Sequence, residues 1–157
     1  DPFIPKVGAR VMSLQEPEKK MSKSDENENN FVSILEPIDS IRRKFKRAVT
    51  DSGSEIRYDE TRPGLANLLS IYSAFSEQEM KKVEAHFEGK MYSDLKSEIA
   101  DLVISKLEPI QNRHKELMAD KGELERLLKT GAMDAQRRAH RTLSKVYKKM
   151  GLVQLPR

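Results

Sequence analysis

Residues 38–49 read Ile-Asp-Ser-Ile-Arg-Arg-Lys-Phe-Lys-Arg-Ala-Val, and their apolar spacing is the clearest fold signal in the chain. The apolar members recur at three- and four-residue steps: Ile38, Ile41, Phe45, Ala48 and Val49. This spacing predicts an amphipathic α-helix, which Asp39 or Ser40 can cap just after Pro37. The opposite face carries the basic residues of this segment: Arg42, Arg43, Lys44, Lys46 and Arg47. Such a face can bind RNA phosphates or simply remain solvated.

Two further helices are predicted immediately downstream. An apolar stripe follows Pro63 and Gly64, with members at Leu65, Leu68, Leu69, Tyr72 and Phe75. Residues 76–79, Ser-Glu-Gln-Glu, then form a capping-box pattern for a helix that offers Val83 and Phe87 to a core. Gly89 is expected to end that helix.

The carboxy-terminal half also has helical periodicity. The longest apolar stripe begins at about Ser93, and we expect Pro109 to kink or interrupt it. A shorter helix over residues 123–129 is expected to stop at Gly131, and a last helix to follow from about Ala135 until Gly151 and Pro156. No heptad run or fixed-period repeat is present, so the chain is predicted to be mainly α, an antiparallel helical bundle.

Upstream of these helices lies a segment suited to phosphate chemistry. Residues 7–14, from Val7 to Leu14, alternate apolar and smaller residues as a short strand would. The loop Lys20-Met21-Ser22-Lys23-Ser24 follows, and its two ammonium groups and two hydroxyls can surround a polyphosphate. Residues 25–30 are polar and rich in turn formers, which predicts a mobile lid. An ordinary solvated lysine-serine loop would have the same composition.

Composition excludes several classes of protein. The chain has 157 residues, no cysteine and a formal net charge of +4. It therefore has no disulfide framework and no thiolate metal site. No apolar run reaches bilayer length and no secretory leader is visible, so we expect a cytoplasmic protein without membrane contact.

The last predicted helix carries a second basic cluster. Arg137, Arg138, Arg141 and Lys145 project opposite its apolar stripe, with Lys148 and Lys149 beyond them. They are candidate RNA-binding residues, although the helix dipole and solubility also favour cations near a helix carboxy terminus. His86, His114 and His140 lack metal-ligand spacing and an evident acidic partner, so we expect no metal site.

The loop and its flanking blocks resemble a known family. Residues 20–24 match the second signature of class I aminoacyl-tRNA synthetases. The rest resembles the bacterial tryptophanyl-tRNA synthetases: residues 4–14 ahead of the loop, then blocks at 48–52, 56–59, 63–69 and 87–92 in family order. The tyrosyl enzymes share the loop but not this run of blocks. The family's Rossmann-type half, with its first signature and indole pocket, finds no match before Asp1. We therefore expect a carboxy-terminal portion.

The resemblance implies that the chain contains parts of two domains with different roles. Residues 1–35 would be the terminal strand and signature loop of a Rossmann-type catalytic domain whose main part is missing. Residues 36–157 would be a helical domain of the anticodon-binding type. Lys20 and Lys23 would be catalytic, and the ATP-binding residues would be Val11, Lys20, Met21, Ser22, Lys23 and Ser24.

The same resemblance implies substrates and partners. The intact enzyme would use ATP with magnesium to activate tryptophan and would then charge its specific tRNA, as a homodimer without a prosthetic group. This chain alone is predicted to be inactive. Two alternatives are a module that only binds RNA through its helices and the related tyrosyl-tRNA synthetase.

Overall fold

The computed structural model describes residues 10–153, and the described part is mainly helical, as predicted. A short 3-10 helix at Glu28–Asn30 precedes five α-helices: α1 Ile38–Arg47, α2 Pro63–Ser76, α3 Met80–Phe87, α4 Tyr92–Ala119 and α5 Lys121–Met150. The strand predicted from Val7 to Leu14 is not formed by its described residues. They contribute only an isolated antiparallel bridge between Met12 and Lys20. Residues 7–9 and Pro156 lie outside the described range.

The chain divides into two compact units, residues 1–111 and residues 112–157. The first unit contains a hydrophobic core built from Leu14, from Ala48 and Ile56 in the connection between α1 and α2, from one face each of α1, α3 and α4, and from most of α2. Its largest fully buried apolar side chains are Phe87, Leu14, Ile41, Leu65, Leu68, Leu69, Leu95 and Ile99. Each stabilises the fold by roughly 1.5–3 kcal/mol relative to an exposed position. In the second unit, α5 has no buried residue. No helix within residues 10–153 is long and apolar enough to cross a membrane.

The start of α1 differs from its predicted cap. Pro37 occupies the N-cap position and no side chain caps the helix. The Ser40 hydroxyl instead donates a hydrogen bond to the Glu36 carboxylate. Its neighbour Lys44, predicted on the solvated basic face, is buried beside the same carboxylate, with 2.6 Å between Lys44 Nζ and Glu36 Oε1. The reason is its position three residues after Ile41, which places Lys44 at the edge of the apolar stripe.

The connection between α2 and α3 does not contain the predicted capping box. Glu77 is the C-cap of α2 and adopts a left-handed conformation with φ of 59°. α3 then begins at Met80 without a side-chain cap, so the capping box predicted over residues 76–79 is wrong. The Ser73 hydroxyl donates to the Gln78 carbonyl (2.6 Å) and thereby fixes the turn.

Two predicted helix breaks are absent. α4 continues through Pro109, and α5 continues through Gly131 from an N-cap at Asp120, whose side chain accepts from the Glu123 amide. Proline removes one helical hydrogen bond, and glycine lowers helix stability by about 1 kcal/mol relative to alanine. The remaining hydrogen bonds of a long helix outweigh both effects. The stops at Gly89 and Gly151 are confirmed, because both glycines have positive φ beyond the helix end.

A charged cluster links the segment after α1 to the starts of α2 and α4. Asp51 accepts hydrogen bonds from Arg62 Nε (2.8 Å) and Nη2 (2.9 Å), and also from the Tyr92 hydroxyl (2.8 Å). The Gly53 amide adds a fourth donor at 2.7 Å. The bidentate Arg62 guanidinium, helped by these other donors, holds the pKa of the Asp51 carboxyl far below its ordinary value of 3.8.

This cluster predicts an acid-dependent loss of stability. Since the pKa of Asp51 is depressed on folding, its stabilisation is fully present above about pH 4 and is lost as the pH falls further. We expect Asp51→Asn to lower the free energy of unfolding at pH 7 by about 1.5–3 kcal/mol, the size of a hydrogen bond to a charged group. Urea unfolding between pH 7 and pH 2 should show a shallower pH dependence for the variant. The exposed ion pair between Arg57 and Glu55 offers a control. Glu55→Gln should leave the pH dependence of the unfolding free energy unchanged.

Candidate nucleotide-binding loop and basic helix

The lysine-serine loop begins in the second arm of a short antiparallel turn, whose tip is formed by residues 14–18. The Ser13 amide donates to the Lys19 carbonyl (2.8 Å), and the Met21 amide donates to the Val11 carbonyl (3.0 Å). These two bonds flank the bridge between Met12 and Lys20. Residues 11–13 and residues 19–21 thus form a paired root, which fixes Lys20 and Met21 and from which the rest of the loop continues.

Asn67 of α2 holds this root from the other side. Its Oδ1 accepts from the Met12 amide (3.0 Å) and its Nδ2 donates to the Met12 carbonyl (2.9 Å). One side-chain amide thus satisfies both backbone groups of Met12, as a neighbouring strand would. Asn67 is 6% exposed, so both bonds are shielded from water.

Leu14 anchors the root in the hydrophobic core. It is 1% exposed. Its amide donates to the Asn30 carbonyl (3.1 Å), and its carbonyl accepts from the Val49 amide (2.8 Å). The Val49 carbonyl in turn lies so close to Gly64 that a Cβ there would be 2.4 Å from its oxygen. Only glycine permits this approach of α2 to Val49, the residue whose amide binds the Leu14 carbonyl.

The segment after the loop, predicted to be a mobile lid over residues 25–30, contains hydrogen bonds among its own side chains and backbone. Asp25 Oδ1 accepts from the Asn27 amide (2.9 Å) and Asp25 Oδ2 accepts from Asn30 Nδ2 (3.0 Å). These bonds lower the pKa of Asp25. Asn30 is 2% exposed, so this end of the loop is also tied to the core.

Both signature lysines are free to bind a ligand. Lys20 and Lys23 are exposed, and within residues 10–153 neither forms an ion pair. Lys19 differs, because its ammonium pairs with Glu16, which raises the pKa of Lys19. The Ser22 and Ser24 hydroxyls of the same loop lie 3.1 Å apart. Two unpaired cations beside two hydroxyls suit a polyphosphate anion.

Two further predicted ATP-binding residues, one in the root and one in the loop, lie against the core. Val11 and Met21 are partly buried and pack against the hydrophobic core. Among residues 10–153, no three His, Cys, Asp or Glu side chains are grouped closely enough to hold a metal ion. The loop thus offers cations, hydroxyls and an apolar backing.

The predicted tRNA-binding residues lie in the second unit, whereas the loop lies in the first. Arg137, Arg138, Arg141 and Lys145 are all exposed on α5. At about 100° per residue they fall within roughly one third of the helix circumference. Arg137 also pairs with Asp134 (2.8 Å). The four cations form one continuous basic face.

His86 departs from the sequence interpretation. Its Nε2 lies 2.6 Å from Glu98 Oε2, so it does have an acidic partner. Burial raises the pKa of Glu98, but hydrogen bonds from His86 and Lys90 outweigh it and hold that pKa below its ordinary value. His86 also stacks on Tyr72, with 5.9 Å between ring centroids. The group joins α3 to α4 and is structural.

Loss of the Asn67 amide is expected to loosen the loop root. We expect Asn67→Ala to lower the free energy of unfolding by about 1–3 kcal/mol, because it leaves the Met12 amide and carbonyl without partners. Hydrogen exchange at the Ser13 and Met21 amides should accelerate more than exchange in α3. The exposed Asn112→Ala serves as the matched control. Unchanged exchange at both root amides would contradict this role for Asn67.

The helical architecture and the rooted lysine-serine loop define a class. Residues 2–108 match the family of class I tRNA synthetases for W and Y, and the chain belongs to that family. Within it, the resemblance is to the tryptophan enzymes. The tryptophan–tRNA ligase of Clostridium acetobutylicum is 44% identical over 151 residues, which are 96% of this chain and 45% of the relative.

Solved structures agree with this assignment. Tryptophanyl-tRNA synthetase from Mycoplasma pneumoniae superimposes with a TM-score of 0.83 at 31% identity, covering 95% of this chain and 45% of that one. The Campylobacter jejuni enzyme, solved with ADP and tryptophan, gives a TM-score of 0.65 at 26% identity, covering 91% and 44%. The chain therefore spans less than half the length of the relatives that it matches.

Proposed function

We propose that this chain is the part of a tryptophan–tRNA ligase that supplies the signature loop and a tRNA-binding helical domain. The observation that carries the proposal is the pair of exposed, unpaired ammonium groups of Lys20 and Lys23 on a loop with a fixed root. The similarity to tryptophan–tRNA ligases supports the choice of amino acid. The family as described includes tyrosine enzymes, so a tyrosyl enzyme is the nearest alternative.

In the proposed reaction, the tryptophan carboxylate attacks the α-phosphorus of ATP and pyrophosphate leaves. Lys20 and Lys23 bind the β- and γ-phosphates and stabilise the negative charge that develops on the leaving group. The Ser22 and Ser24 hydroxyls and the Met21 backbone complete the phosphate contacts, while Val11 contacts the adenine. Magnesium would accompany ATP and would help to neutralise the phosphate charge, and no group of three or more His, Cys, Asp or Glu side chains among residues 10–153 is arranged to hold it.

In the second step, the tryptophanyl group passes to the terminal ribose of the specific tRNA. The α5 cations Arg137, Arg138, Arg141 and Lys145 would contact tRNA phosphates, which fix orientation rather than read sequence. The proposed domain boundary after residue 35 separates the catalytic part from this RNA-binding part. The intact enzyme would be a homodimer in the cytoplasm, where tRNA is charged.

Tryptophan-dependent exchange of pyrophosphate into ATP tests the proposal. The full-length protein should catalyse exchange with tryptophan and not with tyrosine, and the 157-residue chain alone should catalyse neither. The chain should still bind tryptophan-specific tRNA, with an affinity that falls steeply as salt rises. Exchange driven by tyrosine would favour the tyrosyl alternative. Binding to tRNA without any exchange by the full-length protein would leave only an RNA-binding module.

A further inference from the structure

A second basic site lies in the first unit, and none of its lining residues belongs to the lysine-serine loop. It is a cleft of about 500 Å³ between α1 and the first turns of α4. Its walls are formed by Arg42, Lys46, Ser93, Lys96, Ser97 and Ala100. Three of these residues are cationic, two carry hydroxyls and none is acidic, so the cleft is suited to an anion.

The charges in the cleft are incompletely neutralised. Arg42 pairs with Asp101 at the rim, and both side chains remain about half exposed. Lys46 forms no ion pair within the described part of the chain, and Lys96 Nζ has only the neutral Thr50 hydroxyl, at 3.1 Å. Partial burial lowers the pKa of Lys96, as expected for a desolvated ammonium group without a carboxylate. An entering phosphate would supply the missing countercharge.

The surroundings favour a polyanion over a single free phosphate. Arg43 and Arg47 are exposed on α1 beside Arg42 and Lys46, and the four fall within less than half of the helix circumference at about 100° per residue. Arg42 and Lys46 are one turn apart, so they can contact different phosphates of one strand. A lone inorganic phosphate would leave most of this row unused.

We propose that the cleft between α1 and α4 binds the phosphodiester backbone of the tRNA, as a second contact separate from α5. This inference rests on the proposed function, since it takes the RNA to be the tRNA of that reaction. Lys46 and Lys96 supply the charge, and Ser93 and Ser97 donate hydrogen bonds to phosphate oxygens. Such contacts position the RNA without reading its sequence.

The test is binding of the 157-residue chain to a tryptophan-specific tRNA transcript across a salt series. Removing one phosphate contact lowers the salt slope by about 0.9, which corresponds to roughly an eightfold loss of affinity at 0.1 M salt. We expect this result for Lys46→Gln. Ser97→Asp, which keeps every cation and adds a carboxylate to the cleft, should also weaken binding at least fivefold. Circular dichroism would check that both variants retain the helical fold.

Two comparisons make the outcome decisive. Lys106→Gln removes an exposed lysine from α4 outside the cleft and should change affinity less than twofold. If Lys46→Gln and Ser97→Asp behave like Lys106→Gln while Arg138→Gln weakens binding, the cleft proposal fails and the proposed function stands. If the unaltered chain binds no tRNA, the RNA-binding part of the proposed function fails as well. If the cleft variants lose only binding of inorganic phosphate or pyrophosphate and keep tRNA affinity, the cleft is a free-anion site and the proposal is overturned.

Discussion

Replacing Lys23 with alanine in the full-length protein is expected to lower the rate of tryptophan-dependent pyrophosphate exchange by a factor on the order of 10²–10³, the loss seen when one charge-stabilising group is removed. Lys23 is exposed and, within residues 10–153, forms no ion pair, so its replacement leaves no buried partner uncompensated. The effect should therefore fall on catalysis and not on stability. Tryptophan affinity, measured by equilibrium binding without ATP, should be nearly unchanged.

Lys19 provides the matched control for this experiment. It is an exposed lysine at the base of the same loop, but its ammonium is already paired with Glu16. Lys19→Ala should change the exchange rate less than threefold, because an exposed pair contributes little. Equal losses of rate and of tryptophan affinity in Lys23→Ala would show a general disturbance of the site. An equal loss of exchange rate in Lys19→Ala and Lys23→Ala would contradict a specific role for Lys23.

Replacing Lys44 with alanine is expected to cost about 3–5 kcal/mol of unfolding free energy, the usual penalty for removing one partner of a buried ion pair. Both Lys44 and Glu36 have side chains only 8% exposed, and Lys44 Nζ also donates to the Phe31 carbonyl (2.9 Å). Burial raises the pKa of Glu36, but bonds from Lys44, Ser40 and Ser33 outweigh it and keep that pKa below its ordinary value. Without Lys44, the pKa of Glu36 should rise. The free energy of unfolding of the variant should therefore fall less steeply as the pH is lowered.

Lys46, two residues further along α1, is the control because it is exposed. Lys46→Ala should change stability by less than about 0.5 kcal/mol. The double variant Glu36→Gln with Lys44→Met should recover most of the loss, since no unpaired buried charge remains. Urea unfolding followed by circular dichroism would measure all three. Similar stability for Lys44→Ala and Lys46→Ala would contradict the buried pair.

The sequence was most informative where one local pattern determines one structure. The apolar spacing predicted α1 to α4, and the glycines at 89 and 151 correctly marked helix ends. It was misleading at Gly131, and the interruption that it offered as one outcome at Pro109 does not occur, because local propensity contributes less than the hydrogen bonds of a long helix. Burial of Lys44 depends on a carboxylate that precedes the helix, which periodicity along the helix does not reveal.

The candidate site shows the same contrast. A short motif identified Lys20 and Lys23 as the groups with phosphate chemistry, and the structure finds them exposed and unpaired within its described range. No motif identified Asn67 or Asn30, because each acts on a distant backbone or loop residue. One signal was available for Asn67: asparagine is a poor helix former, and here it stands within the apolar run Leu65 to Leu69 of α2.

The two hydrogen bonds between the Asn67 side chain and the Met12 backbone also bear on the order of folding. The two residues are 55 positions apart, so their contact requires closure of a long loop before it gives any stabilisation. Local contacts within α2 can form much sooner than this closure. The lysine-serine loop would then acquire its final register only after α2 has formed and met the amino-terminal segment. During synthesis, the loop residues emerge before Asn67 and become correctly placed only once that later part of the chain is available.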